Sequence, residues 1–260
     1  MLSLYYLNFY TVRNFILIIM VMGFVLSCDT KDPSNTSTSA SQEISLQIIP
    51  KLDGIEAKVN QYYHLKNGDS IYFSRLDFFM QTINFKDKSG KVARLDTAFL
   101  FSNKNAMNKL NFKSTSLPTT IDTINFLCGL GDITNSLDPL KYDADHPLSS
   151  YKNMYWTMGS KYRFIVFEGN IKTASGSMIP FSYHTGLEYK YSANIPVNIT
   201  LNVSNPKTYT LGLHLERIFY PTNGIAVDYK NSETQAHGDA SDGPLTDKVA
   251  LNFSRAFIME

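Results

Sequence analysis

The chain has 260 residues, with 24 Lys+Arg against 23 Asp+Glu and a formal net charge of +1. With no run of like charges, that balance excludes nucleic acid as a partner, because phosphate recognition needs a basic face. Its 17 Phe and 16 Tyr favour sheets over helices.

Arg13 is the sole charge among residues 1–27, and Phe15 to Leu26 is an apolar run. A bilayer core of about 30 Å needs roughly 20 apolar residues, so this run is too short to span it and suits the h-region of a signal peptide. It ends in Val25-Leu26-Ser27-Cys28, a small-residue-then-cysteine pattern that reads as a bacterial lipobox. Residues 1–27 are therefore expected to be a lipoprotein signal peptide, cleaved before a lipidated Cys28. Residues 28–42 are rich in Ser, Thr, Asp and Asn without apolar periodicity, and read as a flexible tether. Residues 43–260 then form one domain, anchored by lipid at the outer membrane in the cell envelope. Asp29, Lys31 and Asp32 resemble a surface-export tag, and a periplasmic or surface-facing placement are both open.

Within the domain, alternation dominates. Ile44 to Ile48, Asn198 to Val203 and Leu211 to Leu215 alternate apolar and polar residues, as half-buried strands do. Thr97 to Phe101 and Tyr162 to Phe167 are short aromatic-rich apolar runs suited to a sandwich core. Turn residues fall between them at Asn67-Gly68, Asp87 to Gly90, Pro206-Lys207 and Pro221 to Gly224. Near the end, Val249, Phe253 and Phe257 recur four residues apart. This predicts one amphipathic helix over Thr246 to Met259, starting near Ser241 or Asp242. The expected fold is all-β, an antiparallel β-sandwich with a short C-terminal helix.

Chemistry is sparse. With Cys28 lipidated, Cys128 is left without a disulfide partner, and its apolar setting Phe126-Leu-Cys-Gly-Leu130 suits a buried thiol. The chain has no Gly-rich phosphate loop, G-x-S-x-G elbow, H-E-x-x-H or paired CxxC. No nucleophile–base pair can be named, so the expectation is a non-enzymatic protein. Five histidines remain. His184, in Phe181-Ser-Tyr-His-Thr-Gly186, sits at a predicted strand end, and His237 lies in the polar loop before the helix. Ligands from separated loops can converge on one rim of a sandwich, and imidazole suits copper, which heads the divalent affinity order. His214 alternates with core leucines and His64 follows two tyrosines, so both read as structural. The densest motif, Asn153-Met-Tyr-Trp-Thr-Met-Gly-Ser-Lys-Tyr-Arg-Phe164, holds the chain's one tryptophan, Trp156, between Met154 and Met158. It suits a core plug or a soft Cu(I) environment.

In order, Ile71 to Phe79, Gly131 to Asn135, Met154 to Phe164, Tyr183-His184-Thr185-Gly186 and His237 with Asn252-Phe253 resemble the MbnP-like family, relatives of the periplasmic protein associated with methanobactin. The resemblance covers roughly residues 43–258. It implies copper binding at the envelope, in some members beside a tryptophan oxidised to kynurenine. It implies His184 as first ligand candidate, His237 as the next and Trp156 as the residue open to modification. Two positions depart from the family motif: Met158 stands for its second tryptophan and Lys161 for its glycine. A different class of function is a surface module for a protein or glycan, with Tyr183, Tyr189 and Tyr191 as a sugar platform.

Overall fold

The computed structural model describes residues 41–103, 109–157, 159, 161–187, 189–205, 207–237 and 243–260. The expected signal peptide, Cys28 and most of the expected tether lie outside these residues, as do Met158, Pro206, Ser241 and Asp242. Among the described residues no helix is long and apolar enough to cross a membrane.

The chain opens with β1 (Gln42–Leu52), β2 (Ile55–Glu56), β3 (Tyr62–His64) and the long β4 (Ser70–Lys86). β5 (Val92–Leu95), β6 (Phe99–Ser102), β7 (Lys109–Ser114) and β8 (Thr120–Cys128) follow. An excursion comes next, holding α1 (Asp132–Asn135) and two 3-10 turns. The second half contains β9 (Tyr155–Trp156), β10 (Lys161–Lys172), β11 (Met178–Gly186), β12 (Tyr191–Thr200) and β13 (Lys207–His214). It closes with α2 (Glu216–Phe219), β14 (Gln235–Ala236), α3 (Gly243–Ser254) and β15 (Phe257–Met259).

These strands form a β-sandwich. One sheet runs β15-β13-β1-β2 with β7 also on β1; the other runs β12-β8-β4-β10-β11-β14, with β3, β5 and β6 on β4 and β9 on β10. Most pairings are antiparallel, but β1 and β13 run parallel, with Ile48 opposite Leu211. The inward residues Ile44, Leu46 and Ile48 of β1 are fully buried, as are Phe73, Phe78 and Phe85 of β4. On β1 that follows the alternation seen in the sequence, whereas β4 is buried on both faces over most of its length.

The C-terminal helix is present but shorter than its periodicity predicts. α3 ends at Ser254, and Phe257 belongs to β15, which pairs with β13. The reason is that both arrangements bury Phe257, but only the strand gives its backbone to the open edge of β13. Phe253 and Phe257 both reach Phe78, with ring centroids 5.0 and 5.7 Å away.

The excursion after β8 covers the outer face of the second sheet. Leu130, Leu148 and Met154 pack there on Phe79, Tyr162, Phe164 and Val166 as a second small core. Polar bonds fix it: Gln81 accepts from the Gly131 N–H at 2.8 Å and donates to Thr134 Oγ1 at 2.8 Å. Asn135 Oδ1 accepts the Tyr162 N–H at 3.1 Å. Met154 is thus a core residue here, its sulfur facing the Arg75 guanidinium.

Candidate metal centre

Three strand pairings bring the site together. On β11, Ser182, His184 and Gly186 share one face by simple alternation. β14 lies parallel to β11, with Ser182 opposite Gln235 and Tyr183 opposite Ala236. The next residue in that register is His237, which therefore falls beside His184. The two imidazole centroids are 5.4 Å apart. β9 pairs with the start of β10, Trp156 opposite Lys161. This turns the indole edge-on to His237 at 6.4 Å. Tyr155, Trp156, Arg163, His184 and His237 line one open cavity of about 370 Å³.

Two irregularities in β10 decide which of its side chains reach that face. Arg163 pairs with Gly186 and Ile165 with Thr185, so Phe164 is an extra residue. A single extra residue inverts the alternation on one side of it. Arg163 is thereby placed on the face of Val166, Glu168 and His184, where regular pleating would turn it away. On the other edge, Glu168 pairs with Arg75 and Gly169 with Phe73, leaving Ser74 bulged in β4. Gly169 is required there, because a Cβ would overlap the Tyr72 carbonyl oxygen and the Phe73 Cα.

Glu168 lies diagonally across from His184. Its Oε1 is 2.8 Å from His184 Nε2, and Ser182 Oγ is 3.2 Å from the same nitrogen. A carboxylate there selects the tautomer with the proton on Nε2, as carboxylate partners of metal-bound histidines commonly do. His184 Nδ1 makes no hydrogen bond among the described residues, so its lone pair is free for a metal. Burial, with help from the nearby Arg163 and His237, pushes the His184 pKa below the ordinary imidazole value despite Glu168. The ring is therefore neutral at pH 7, the state a ligand needs. Glu168 is held below the usual carboxylate range, first by its hydrogen bond with His184.

The other walls are also braced. The Asn153 carbonyl accepts from both Arg75, at 3.0 Å, and Arg163. Arg75 is itself fixed by Asp77, Nε to Oδ2 at 2.6 Å. This holds the chain just before Trp156, while Gly159 lies against the indole. The arm leading to His237 is tied down by Tyr183, whose hydroxyl donates to the Glu233 carbonyl at 2.7 Å. Lys248 of α3 grips the Glu233 carboxylate, and the Ser182 N–H donates to the Thr234 carbonyl at 2.9 Å.

The remaining histidines lie elsewhere. His64 Nδ1 meets Ser70 Oγ at 2.8 Å, and His146 stacks on Tyr142 at 4.0 Å. His214 sits between Glu216 and Glu260. Cys128 is buried, and desolvation raises its thiol far above the ordinary range. The expected tyrosine platform does not form: Tyr183 is fully buried, packed on Phe181 and Phe219 and bonded to Glu233. Of the residues that the sequence singles out, the structure brings His184, His237 and Trp156 to one cavity. Arg163 and Glu168 lie beside them, two residues that the sequence pattern does not single out because their placement rests on the bulges.

Among the described residues no group of three or more His, Cys, Asp or Glu is arranged to hold a metal ion. What the cavity offers is a pair of imidazoles, of which His184 is held neutral by burial. Two imidazoles are too few to close a four-ligand zinc site, and imidazole suits copper as it does zinc, iron and nickel.

A two-sheet sandwich with paired imidazoles and an indole on its rim defines the structural class. The family model for MbnP matches residues 41–237, and the chain belongs to that family. Among solved structures it is similar to MbnP from Methylosinus trichosporium at 12% identity, with a TM-score of 0.49, over 77% of this chain and 82% of that one. Comparison with curated proteins finds no match.

Proposed function

We propose that this protein is a non-catalytic copper-binding lipoprotein of the bacterial cell envelope, holding one copper ion between His184 and His237. The observation that carries the reading is the juxtaposition of the two rings, 5.4 Å between centroids, in a cavity walled by Trp156. Family membership supports it, since the MbnP resemblance implies copper. The metal would be held by the imidazoles, with Glu168 orienting His184 from behind. When bound, copper supplies a redox-capable cation at the rim, and the chain's own groups supply its orientation and its partial shelter from water.

Anchoring by Cys28 belongs to the same proposal and is supported by the lipobox sequence alone. The test is a competition titration of the domain with copper against a chelator of known affinity. The expected result is about one copper per chain, with affinity lowered at least about tenfold by His184→Ala or by His237→Ala. Stoichiometric copper of unchanged affinity in both variants would reject the assignment.

A further inference from the structure

The histidine cavity contains a cation that copper binding does not explain. Arg163 lines it beside His184, His237, Tyr155 and Trp156, and no acidic residue does. A guanidinium keeps its charge at physiological pH. Burial first, and then the neighbouring Arg75, disfavour that charge, while Glu168 and Asp77 favour it. Both carboxylates are already engaged: Glu168 Oε1 meets His184 Nε2 at 2.8 Å, and Asp77 Oδ2 accepts from Arg75 Nε at 2.6 Å. Among the described residues Arg163 forms no ion pair, and its one hydrogen bond runs from Nη2 to the Asn153 carbonyl. Its Nε–H is buried without an acceptor, so the cation is short of partners on every side. Bracing Asn153 does not account for it, because Arg75 Nη2 donates to the same carbonyl at 3.0 Å and has a carboxylate of its own.

Copper at the imidazole pair would set a second cation against this one. Like charges in a partly dry cavity repel. Cu(II) also takes tetragonal sets of N and O donors, and two imidazoles leave such a set open. One kind of ligand answers both needs: an anion with an oxygen for copper and further acceptor capacity for the guanidinium. Arg163 keeps its Nη1 hydrogens and one Nη2 hydrogen for it, and that fork matches a planar oxyanion. A halide has a single atom to offer and cannot serve both. The cavity, about 370 Å³, has room for the metal and a small anion together. We propose that Cu(II) binds between His184 and His237 together with a planar oxyanion of the carbonate or carboxylate class, which bridges the metal and the Arg163 guanidinium. This rests on the copper reading above and adds a co-ligand to it.

The experiment is a Cu(II) competition titration of the protein in bicarbonate-free buffer, then with bicarbonate, acetate or chloride added at equal ionic strength. Bicarbonate or acetate is expected to raise the affinity about tenfold, the scale of one charge-assisted hydrogen bond, and chloride to leave it unchanged. Which oxyanion acts identifies the source. In Arg163→Gln the gain is expected to vanish, while the affinity without added anion equals or exceeds that of the wild type, because a repelling charge has gone. A residue that only braced Asn153 would instead lower affinity equally in every buffer. Electron–nuclear double resonance of the wild type with carbon-labelled oxyanion should show coupling between Cu(II) and the labelled carbon, a reading that needs no variant. Copper held at the histidines with an affinity that neither oxyanion changes, a gain that persists in Arg163→Gln, or absence of the carbon coupling would each overturn the proposal and leave the copper reading standing. Copper affinity indifferent to His184→Ala and His237→Ala would overturn both.

Discussion

At the scale of single residues, the site turns on one nitrogen. His184 Nε2 faces Glu168 and Ser182, which commits the ring's proton and leaves Nδ1 for a metal. Removing the carboxylate should free the tautomer without unfolding the domain, since Glu168 is half-buried on the outer face of β10. Glu168→Ala is therefore expected to weaken copper binding about 10–100-fold, the range for partners of metal-bound histidines. Nitrogen NMR of the His184 ring should show the tautomer mixture shifting in the same variant. An unchanged affinity with an unchanged tautomer would remove Glu168 from the site. Cys128, by contrast, is enclosed by core residues, and its raised thiol pKa makes it a packing group rather than a ligand.

At the scale of elements, the site depends on bulges and clamps. Gly169 lets β10 approach β4 at the Ser74 bulge. Gly169→Ala must push the backbones apart and is expected to cost about 2–3 kcal/mol, as overpacking does, measured by chemical denaturation. Copper affinity should fall with it, because Glu168 is the neighbouring residue. A second clamp lies at Asp69, fully buried at the start of the β4 turn. It accepts hydrogen bonds from Tyr229, Lys230, Asn67 and the Ala174 N–H. Burial alone would raise its carboxyl, but those bonds outweigh it and hold the pKa below the ordinary aspartate value. A depressed folded-state value means stability present above the unfolded pKa, near 3.9, and lost as pH falls through the folded one. Acid titration of thermal stability should show that loss below about pH 4. Asp69→Asn should be about 2 kcal/mol less stable at neutral pH and lack the acid-dependent loss.

These elements also show what was legible in the sequence. Strict alternation made β1 and β13 readable, an apolar aromatic run marked the core of β10, and the Gly-flanked strand end pointed to His184. His237 was readable as a loop histidine. Its place beside His184 comes from the two-residue parallel pairing of β14, too short to leave a periodic signal. Arg163 and Glu168 were hidden for a related reason. Bulges at Phe164 and Ser74 change which residues share a face, and a period-2 reading assumes there are none. The end of the helix was misjudged because Phe257 satisfies a helical spacing while its backbone pairs with β13.

At the scale of the molecule, sheet pairing rather than loops positions the histidine cavity. Phe78, Phe253 and Phe257 join β4, α3 and β15 in the core, so the scaffold that holds the rim is continuous with it. The proposed lipid attachment at Cys28 adds a prediction of its own. Cys28→Ser should release the protein from the membrane fraction or leave its precursor unprocessed, read by fractionation and mass spectrometry. Processing and membrane retention identical to the wild type would count against lipid attachment at Cys28.

The most direct test of the proposed copper site is anomalous diffraction at the copper edge from crystals of the copper-loaded domain. One peak at bonding distance from both the His184 and His237 imidazoles is the predicted result. A peak at other residues, or none in that cavity after loading, would contradict the assignment.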